Sequence, residues 1–170
     1  VLRNICDITN CKVYAEIGVH NGASMSYASS GKTVELCIGI DLFENTSGHY
    51  VNDHLTLSNT LRNIDVHKNS ECTINLIKGN SQHSQTVQKM KDALDGKMID
   101  VLFIDGDHSY SGVKHDYETY IKFVKINGYI VFDDYSLRWP DVVKFVNTIR
   151  TNNNILDIGG GIENEYIVKK

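Results

Sequence analysis

The sequence predicts an α/β domain in which a mostly parallel seven-stranded sheet, with an antiparallel last strand, carries helices on both faces. Short β-branched and apolar runs alternate with stretches of helical spacing, which is the pattern of a parallel sheet flanked by helices. A chain of 170 residues is long enough to bury one such sheet, so we expect a single domain over residues 1–170.

The first half of the chain supplies the first two predicted strand-and-helix units. A strand over residues 12–19 leads through a glycine turn into a short helix over 23–30. A second strand covers 34–42. Leucines with partly helical spacing then predict a helix over about 50–67.

The middle of the chain supplies the most apolar strand. A third strand, over 73–78, is followed by a helix that ends near Leu94. The fourth strand, over 99–104, has the apolar character of a strand covered on both faces. A helix over about 110–125 follows, and Asn127-Gly128 is its predicted stop signal.

The last part of the chain closes the sheet. A fifth strand over 129–132 and a helix over 141–150 precede two final strands, over 155–158 and 165–168. Three glycines, 159–161, are predicted to join these two strands in a reversal of direction. The sheet should therefore end in an antiparallel edge.

Composition excludes some partners and favours others. The net charge is −4, the pI is about 5.9, and lysines and arginines are scattered along the chain, so the basic footprint of a nucleic-acid-binding protein is absent. No apolar run has the length of a membrane span, and the first ten residues lack a basic segment followed by a hydrophobic one. We therefore expect a cytoplasmic protein that acts on a small molecule, without nucleic-acid or membrane partners.

The four cysteines form no C-x-x-C pair. Two of them lie in apolar surroundings, where a free thiol packs as a small hydrophobic group. We expect all four cysteines to be reduced and structural.

Polar residues follow the predicted strands where each strand ends, and this is where open α/β sheets bind ligands. They comprise Gly18 to Gly22, Asp41, Gly79 to Ser81, Asp105 to His108, and Asp133-Asp134. One acid at a strand end would fit a solvated loop, but five successive polar endings favour a binding site.

The ending of the first strand resembles the nucleoside-binding loop of class I S-adenosylmethionine-dependent methyltransferases. Glu16, Gly18 and Gly22 match its acid-x-Gly-x-x-x-Gly pattern, whereas a dinucleotide fingerprint requires three glycines. The resemblance implies a Rossmann-like domain that binds S-adenosylmethionine, and Ser24 joins its cofactor-binding residues. Asp41 would accept the ribose hydroxyls, although an acid there supports any nucleoside.

The same resemblance implies further cofactor contacts. The segment Gly79-Asn80-Ser81 is similar to the one that lines the adenine, and a helix cap explains Asn and Ser there equally well. Asp105 is included among the cofactor-binding residues because it ends the neighbouring fourth strand.

The segments around Asp105 and Asp133-Asp134 resemble the metal-dependent small-molecule O-methyltransferases of the catechol type and of the macrolide and aminocoumarin sugar type. That resemblance implies that Asp105, Asp133 and Asp134 hold a divalent cation, Mg²⁺, for which carboxylate oxygens are suitable ligands. The competing interpretation is that these acids cap helices or lie in surface loops. His108 could be a fourth ligand, but the lack of a second nearby histidine argues against zinc.

The implied reaction is in-line transfer of a methyl group to a hydroxyl of a small molecule, with a base that removes the hydroxyl proton. The sugar-modifying relatives place an acid two residues after the first metal ligand, which makes Asp107 the first choice for the base. His108 is the second choice. The lysine that serves in catechol-type enzymes is missing before Lys114.

Two other functions stay open from the sequence: a nicotinamide-dependent oxidoreductase, and a nucleoside-binding domain without turnover. The acceptor could contact His49, Tyr50, His54 or Trp139, each of which also fits a surface or packing role. A domain of this size leaves little room for acceptor recognition, so a homodimer that completes the pocket is a further expectation.

Overall fold

The computed structural model describes residues 1–44, 56–151, 155–162 and 164–170. Six α-helices and seven strands alternate within this part of the chain. The helices are α1 (Leu2–Thr9), α2 (Ala23–Ser29), α3 (Leu57–Asp65), α4 (Ser84–Leu94), α5 (Tyr110–Tyr120) and α6 (Pro140–Ile149). The strands are β1 (Val13–Ile17), β2 (Leu36–Asp41), β3 (Thr73–Lys78), β4 (Ile99–Ile104), β5 (Val124–Phe132), β6 (Leu156–Ile162) and β7 (Glu165–Lys169).

The strands form one sheet in the order β3-β2-β1-β4-β5-β7-β6. Strands β1 to β5 are parallel, and β7 runs antiparallel to both of its neighbours, β5 and β6. The predicted fold class is therefore confirmed. The chain leaves β1 toward β2 on one side and returns to β4 on the other, so the ends of β1, β2 and β4 meet at one edge.

Helices cover both faces of the sheet, as predicted. Alternation along β1 shows the two faces directly, because Val13, Ala15 and Ile17 pack into the core under α4, α5 and α6, while Tyr14 packs into the core under α1, α2 and α3. All of β4 is buried, as its composition predicts. The four cysteines are free and buried, in the core under α1 to α3.

The fifth strand begins earlier than predicted. Helix α5 ends at Tyr120, and after one short 3₁₀ turn the chain continues as β5 from Val124. The predicted helix stop, Asn127-Gly128, lies inside β5, where the pairing with β4 shifts register. Asn127 has a φ of +65°, so this pair forms a bulge within the strand instead of a helix end.

The closing hairpin also differs from the prediction. The glycines 159–161 lie within β6 and do not form the reversal, which falls between Ile162 and Glu165. Strand β7 is inserted between β5 and β6, so the edge strand on this side is β6. Glycine tolerates the irregular pairing of β6, which explains why these residues resemble a turn in the sequence.

Helix α1 is absent from the sequence-based prediction. Its amphipathic pattern covers only two turns, and Leu2, Ile5 and Cys6 are its buried residues. Across the described residues, no helix combines the length and the apolar character needed to cross a membrane.

Candidate active site

A cavity of about 600 Å³ opens at the carboxyl ends of the parallel strands. Most of the residues predicted at this edge line it, namely Gly18, Asp41, Gly79, Asn80, Ser81, Asp105, Asp107 and His108. The sheet order explains their proximity, because β1 lies between β2 and β4, and β3 lies beside β2.

Gly18 brings the end of β1 into direct contact with the end of β4. Its φ is +90°, and an added Cβ would lie 1.9 Å from the carbonyl oxygen of Asp105. The Asp105 N–H in turn donates to the carbonyl of Ile17 at 2.8 Å. Any side chain at Gly18 would separate these strand ends, so glycine is required both by its conformation and by the available space.

Helix α3 holds the rest of the glycine turn. The Thr60 hydroxyl donates to the carbonyl of His20, and the Asn63 amide donates to the carbonyl of Asn21, both at 2.9 Å. Gly22 has a φ of +85°, and a Cβ on it would lie 2.7 Å from an α3 side chain. Gly22 therefore packs against α3 and does not line the cavity.

Glu16 and Ser24 lie behind the glycine turn, outside the cavity lining. Glu16 is fully buried and accepts hydrogen bonds from the hydroxyls of Ser24 and Tyr14, the latter at 2.7 Å. Burial raises the pKa of Glu16 to about 8, although both hydroxyls favour its charged form. The two predicted cofactor residues thus support the turn from inside the protein.

Asp41 is held at the cavity by two backbone amides. Its Oδ2 atom accepts from the His20 N–H at 2.8 Å, and its Oδ1 atom accepts from the Phe43 N–H at 2.7 Å. A carboxylate oxygen can accept more than one hydrogen bond, so both oxygens keep capacity for the hydroxyls of a ligand. The arrangement suits recognition of a diol such as a ribose.

The loop after β3 faces the cavity and does not cap the next helix. The N-cap of α4 is His83, whereas Asn80 accepts from the Gln82 N–H at 2.8 Å within the loop. The Tyr120 hydroxyl donates to the carbonyl of Ser81 at 2.7 Å and so ties the loop to α5. Of the two explanations of Gly79-Asn80-Ser81, the cavity placement favours ligand lining.

Four titratable groups cluster beside the cavity. Nε2 of His108 lies 2.7 Å from Oδ2 of Asp134 and 3.4 Å from Oδ1 of Asp105, although neither contact has the geometry of a hydrogen bond. Asp133 lies within hydrogen-bonding reach of Asp105. One ligand atom each from Asp105, His108 and Asp134 fit within 4.8 Å of one another. The structure thus brings two of the three predicted acids, Asp105 and Asp134, together with His108, while Asp133 lies near Asp105 but outside this group of ligand atoms.

The acids repel one another in a partly desolvated place. The pKa of Asp105 is raised to about 6, chiefly by burial and also by the charges of Asp133 and Asp134, while the contact with His108 acts in the opposite direction. Burial also raises the pKa of Asp133. The nearby carboxylate of Asp105 raises the pKa of His108, against the effect of its burial. Burial and mutual repulsion disfavour the ionised form of these carboxylates. A hard divalent cation such as Mg²⁺ would bind their oxygens and offset that repulsion.

Asp107 lines the cavity but is already engaged by α5. Its Oδ1 atom accepts from the Ser109 N–H at 2.9 Å, and a Cβ on Gly112 would lie 2.4 Å from its Cγ atom. The carboxylate therefore rests on the first turn of α5. Of the two predicted bases, His108 is the one whose side chain reaches the other acids.

Sequence reasoning missed some cavity residues and placed others beyond the described chain. His20 and Gln82 line the cavity without having been predicted, and no residue pattern marks them, since the backbone bond of His20 to Asp41 could be seen only in three dimensions. The suggested acceptor contacts His49, Tyr50 and His54 lie outside the described residues.

Comparison with known protein sequences gives a match over most of the chain. The profile of a methyltransferase domain family matches residues 15–135. An uncharacterized protein of Acanthamoeba polyphaga mimivirus is 34% identical over 161 residues, which is 90% of this chain and 63% of that relative. The chain thus spans less than two thirds of the length of the relative that it matches.

Solved structures share the fold. The O-methyltransferase from Bacillus cereus in complex with SAH superposes with a TM-score of 0.67 at 14% identity, over 99% of this chain and 77% of that one. The O-methyltransferase NovP gives 0.68 at 17% identity, over 99% and 77%. The TDP-rhamnose 3′-O-methyltransferase of calicheamicin biosynthesis gives 0.69 at 13% identity, over 98% and 76%. At these identities the likeness concerns the fold.

Proposed function

The chain belongs to a family of methyltransferase domains, and from this premise we propose that it transfers a methyl group from S-adenosylmethionine to a hydroxyl of a small-molecule acceptor, with the help of Mg²⁺. The supporting observation is the position of Asp105. Its backbone packs against the glycine turn beside the cavity. Its carboxylate belongs to the group formed by Asp105, Asp133, Asp134 and His108, called the acid cluster below. One residue therefore joins a nucleoside-sized cavity to a group of acids suited to a cation.

The cavity residues have separate roles in holding the cofactor. Asp41 would accept hydrogen bonds from the ribose hydroxyls, and the loop over 79–82 would line the adenine. Gly18 would let the backbone approach the ligand closely. Glu16 and Ser24 keep the glycine turn in place from behind. The glycine turn fits S-adenosylmethionine better than a dinucleotide, because it lacks the third glycine that a pyrophosphate requires.

The acid cluster provides the chemistry on the acceptor side. Asp105, Asp133 and Asp134 would hold the cation, and His108 takes the proton of the acceptor hydroxyl on Nε2 as the oxygen forms its bond to the methyl carbon. When bound, S-adenosylmethionine supplies a methyl group on a positively charged sulfur, and the cation lowers the pKa of the acceptor hydroxyl. The sulfur keeps the electrons of the broken bond, which leaves S-adenosylhomocysteine.

Calorimetric titration tests the cofactor part of this proposal. We expect S-adenosylhomocysteine to bind and NAD⁺ to bind far more weakly. Asp41→Asn should weaken S-adenosylhomocysteine binding about ten- to a hundredfold, since hydrogen bonds to a charged acceptor are lost. Asp65→Asn, an exposed change at the end of α3, is the matched control and should bind as the wild type does. Preferential NAD⁺ binding would favour the oxidoreductase instead.

Turnover separates an enzyme from a binding domain. Methyl transfer from S-adenosylmethionine would be measured with catechol and with methyl rhamnoside as probe acceptors, with Mg²⁺ and with EDTA. We expect transfer to at least one acceptor that EDTA suppresses and added Mg²⁺ restores. Cofactor binding without transfer to either acceptor would favour the nucleoside-binding domain without turnover.

A further inference from the structure

Trp139 stacks on the imidazole of His108. The two ring centroids lie 4.3 Å apart and the planes differ by 19°, which is close to parallel. Trp139 is the only tryptophan of the chain, and it forms the N-cap position of α6, five residues after Asp134. The residue is half-buried and packs against the core under α4 to α6, whereas Leu137 and Arg138 before it are exposed.

The hydrogen bonds of His108 do not fix its ring by themselves. Its Nε2 atom lies close to Asp134 and Asp105, but among the described residues it has no partner in hydrogen-bond geometry. The residue lies in the loop between β4 and α5, where the backbone is not held by a strand or a helix. Contact with the indole face is therefore a restraint on the orientation of the imidazole that adds to the contacts of Nε2 with the two acids.

Trp139 is itself anchored firmly enough to act as a wall. Its N–H donates to the carbonyl of Ser136 at 3.0 Å, and its carbonyl accepts from the Val142 N–H at 3.1 Å. Pro140 follows at the first position of α6 and disfavours a helical conformation for Trp139. The guanidinium of Arg138 lies 5.7 Å from the centre of the indole ring. Backbone bonds thus hold the main chain at Trp139, and its side chain packs against the core under α4 to α6, so the indole is held independently of His108.

We propose that Trp139 is a positioning residue, whose stacked indole holds the imidazole of His108 with Nε2 between Asp105 and Asp134. The proposal deepens the function proposed above, in which His108 removes the proton from the hydroxyl of the methyl acceptor, and it rests on that function. Aromatic faces in contact favour this near-parallel arrangement beyond the area that they bury. A leucine at position 139 would fill part of the volume without offering a flat face, whereas phenylalanine would retain one.

The emission of Trp139 tests the contact without cofactor or acceptor. Because the chain has one tryptophan, emission excited at a wavelength that tyrosine does not absorb reports this ring alone. Removing the imidazole with His108→Asn exposes one indole face to water, so we expect a shift of the emission maximum to longer wavelength. His83→Asn, an exposed histidine before α4, is the control and should leave the emission unchanged. Equal emission of wild type and His108→Asn would overturn the proposal.

Chemical modification tests whether the contact positions His108. Diethyl pyrocarbonate acylates unprotonated imidazole nitrogens, and peptide mass spectrometry follows His108 against the other histidines as internal references. We expect His108 to react severalfold faster in Trp139→Leu, and at nearly the wild-type rate in Trp139→Phe and in Leu137→Ala. Melting temperatures identify any variant whose fold is lost. Wild-type reactivity of His108 in folded Trp139→Leu would overturn the proposal.

The outcomes of these two experiments can be distinguished from a failure of the proposed function. Neither uses S-adenosylmethionine or an acceptor, so a protein that binds no S-adenosylhomocysteine would contradict the methyltransferase proposal and leave both readouts of the stacked pair intact.

Discussion

Glu16 shows, at the scale of a single residue, how a binding turn is supported at a cost in stability. The carboxyl group is fully buried, and its two hydrogen-bond partners do not offset the loss of hydration, so its pKa rises to about 8. Its position two residues before Gly18 is visible in the sequence. Its burial behind the turn is not, because it depends on how Tyr14 and α2 pack.

The raised pKa of Glu16 predicts a stability that falls as the pH rises. Below its unfolded-state value near 4.5 the group is protonated in both states, and between that value and about 8 only the unfolded chain releases the proton. This carboxyl group alone should remove about 1.4 kcal/mol of unfolding free energy per pH unit in that window. Glu16→Gln should remove this contribution.

Urea unfolding at about pH 5 and about pH 8 measures the effect. The difference between wild type and Glu16→Gln isolates this group from the other acids, since those titrate in both proteins. The same pH dependence in both proteins would show that Glu16 is ionised in the folded state over the whole range.

At the scale of elements, β4 carries an acid at each end with opposite purposes. Asp100, near its start, accepts from the N–H groups of Lys12 and Val13 at 2.8 Å and pairs with Lys125. Asp105 follows its other end, among acids that repel it. In the sequence, Asp100 lies near the start of this apolar strand and Asp105 directly after its end. This position relative to the strand direction distinguishes an acid that holds the fold from one at the edge where open α/β sheets bind ligands.

The two acids should therefore respond differently to removal. Asp100→Ala leaves the backbone amides of Lys12 and Val13 and the amine of Lys125 without their acceptor and should cost about 2–4 kcal/mol of stability without altering S-adenosylhomocysteine affinity. Asp105→Asn should stabilise the cation-free protein near neutral pH by roughly 1–2 kcal/mol, because repulsion and desolvation are relieved. Thermal unfolding and calorimetry together check both. A stabilising Asp100→Ala or a strongly destabilising Asp105→Asn would contradict this assignment.

The junction of β1 and β4 depends on Gly18. Gly18→Ala should cost more than about 3 kcal/mol of stability or prevent folding. The new Cβ would collide with the Asp105 carbonyl, and alanine also disfavours the positive φ of this position. Gly96→Ala is the matched control: its φ is +79° but nothing lies within 4 Å of the added Cβ. It should cost only about 1–2 kcal/mol, the conformational part alone. Equal costs in chemical denaturation would argue against the close contact.

The sequence predicted some elements better than others for identifiable physical reasons. Strand β4 was placed correctly because its apolar run is bounded by abrupt polar endings. The start of β5 was missed because a bulge with Asn127 at positive φ resembles a helix stop, and β6 was shortened because its glycines resemble a turn. Local patterns could not reveal that β7 inserts between β5 and β6, since that order depends on long-range pairing.

At the scale of the whole molecule, the sheet topology turns separate sequence motifs into one site. The residues around 18, 41, 80 and 105 come together because β1 to β4 are parallel neighbours whose ends share one edge, and β5 brings the acids 133 and 134 to the same edge. The topological rule for open α/β sheets made this convergence predictable. The sequence could not predict which of Asp107 and His108 reaches the other acids, because the bond of Asp107 to the Ser109 N–H and the stacking of His108 are details of packing.

The central claim is that the cofactor cavity and the acid cluster form a single site joined at Asp105. Anomalous diffraction from crystals grown with Mn²⁺ and S-adenosylhomocysteine tests it most directly. We predict a manganese peak bound by Asp105, Asp133 and Asp134, with S-adenosylhomocysteine in the adjoining cavity and its ribose on Asp41. Manganese bound elsewhere, or S-adenosylhomocysteine outside this cavity, would contradict the account.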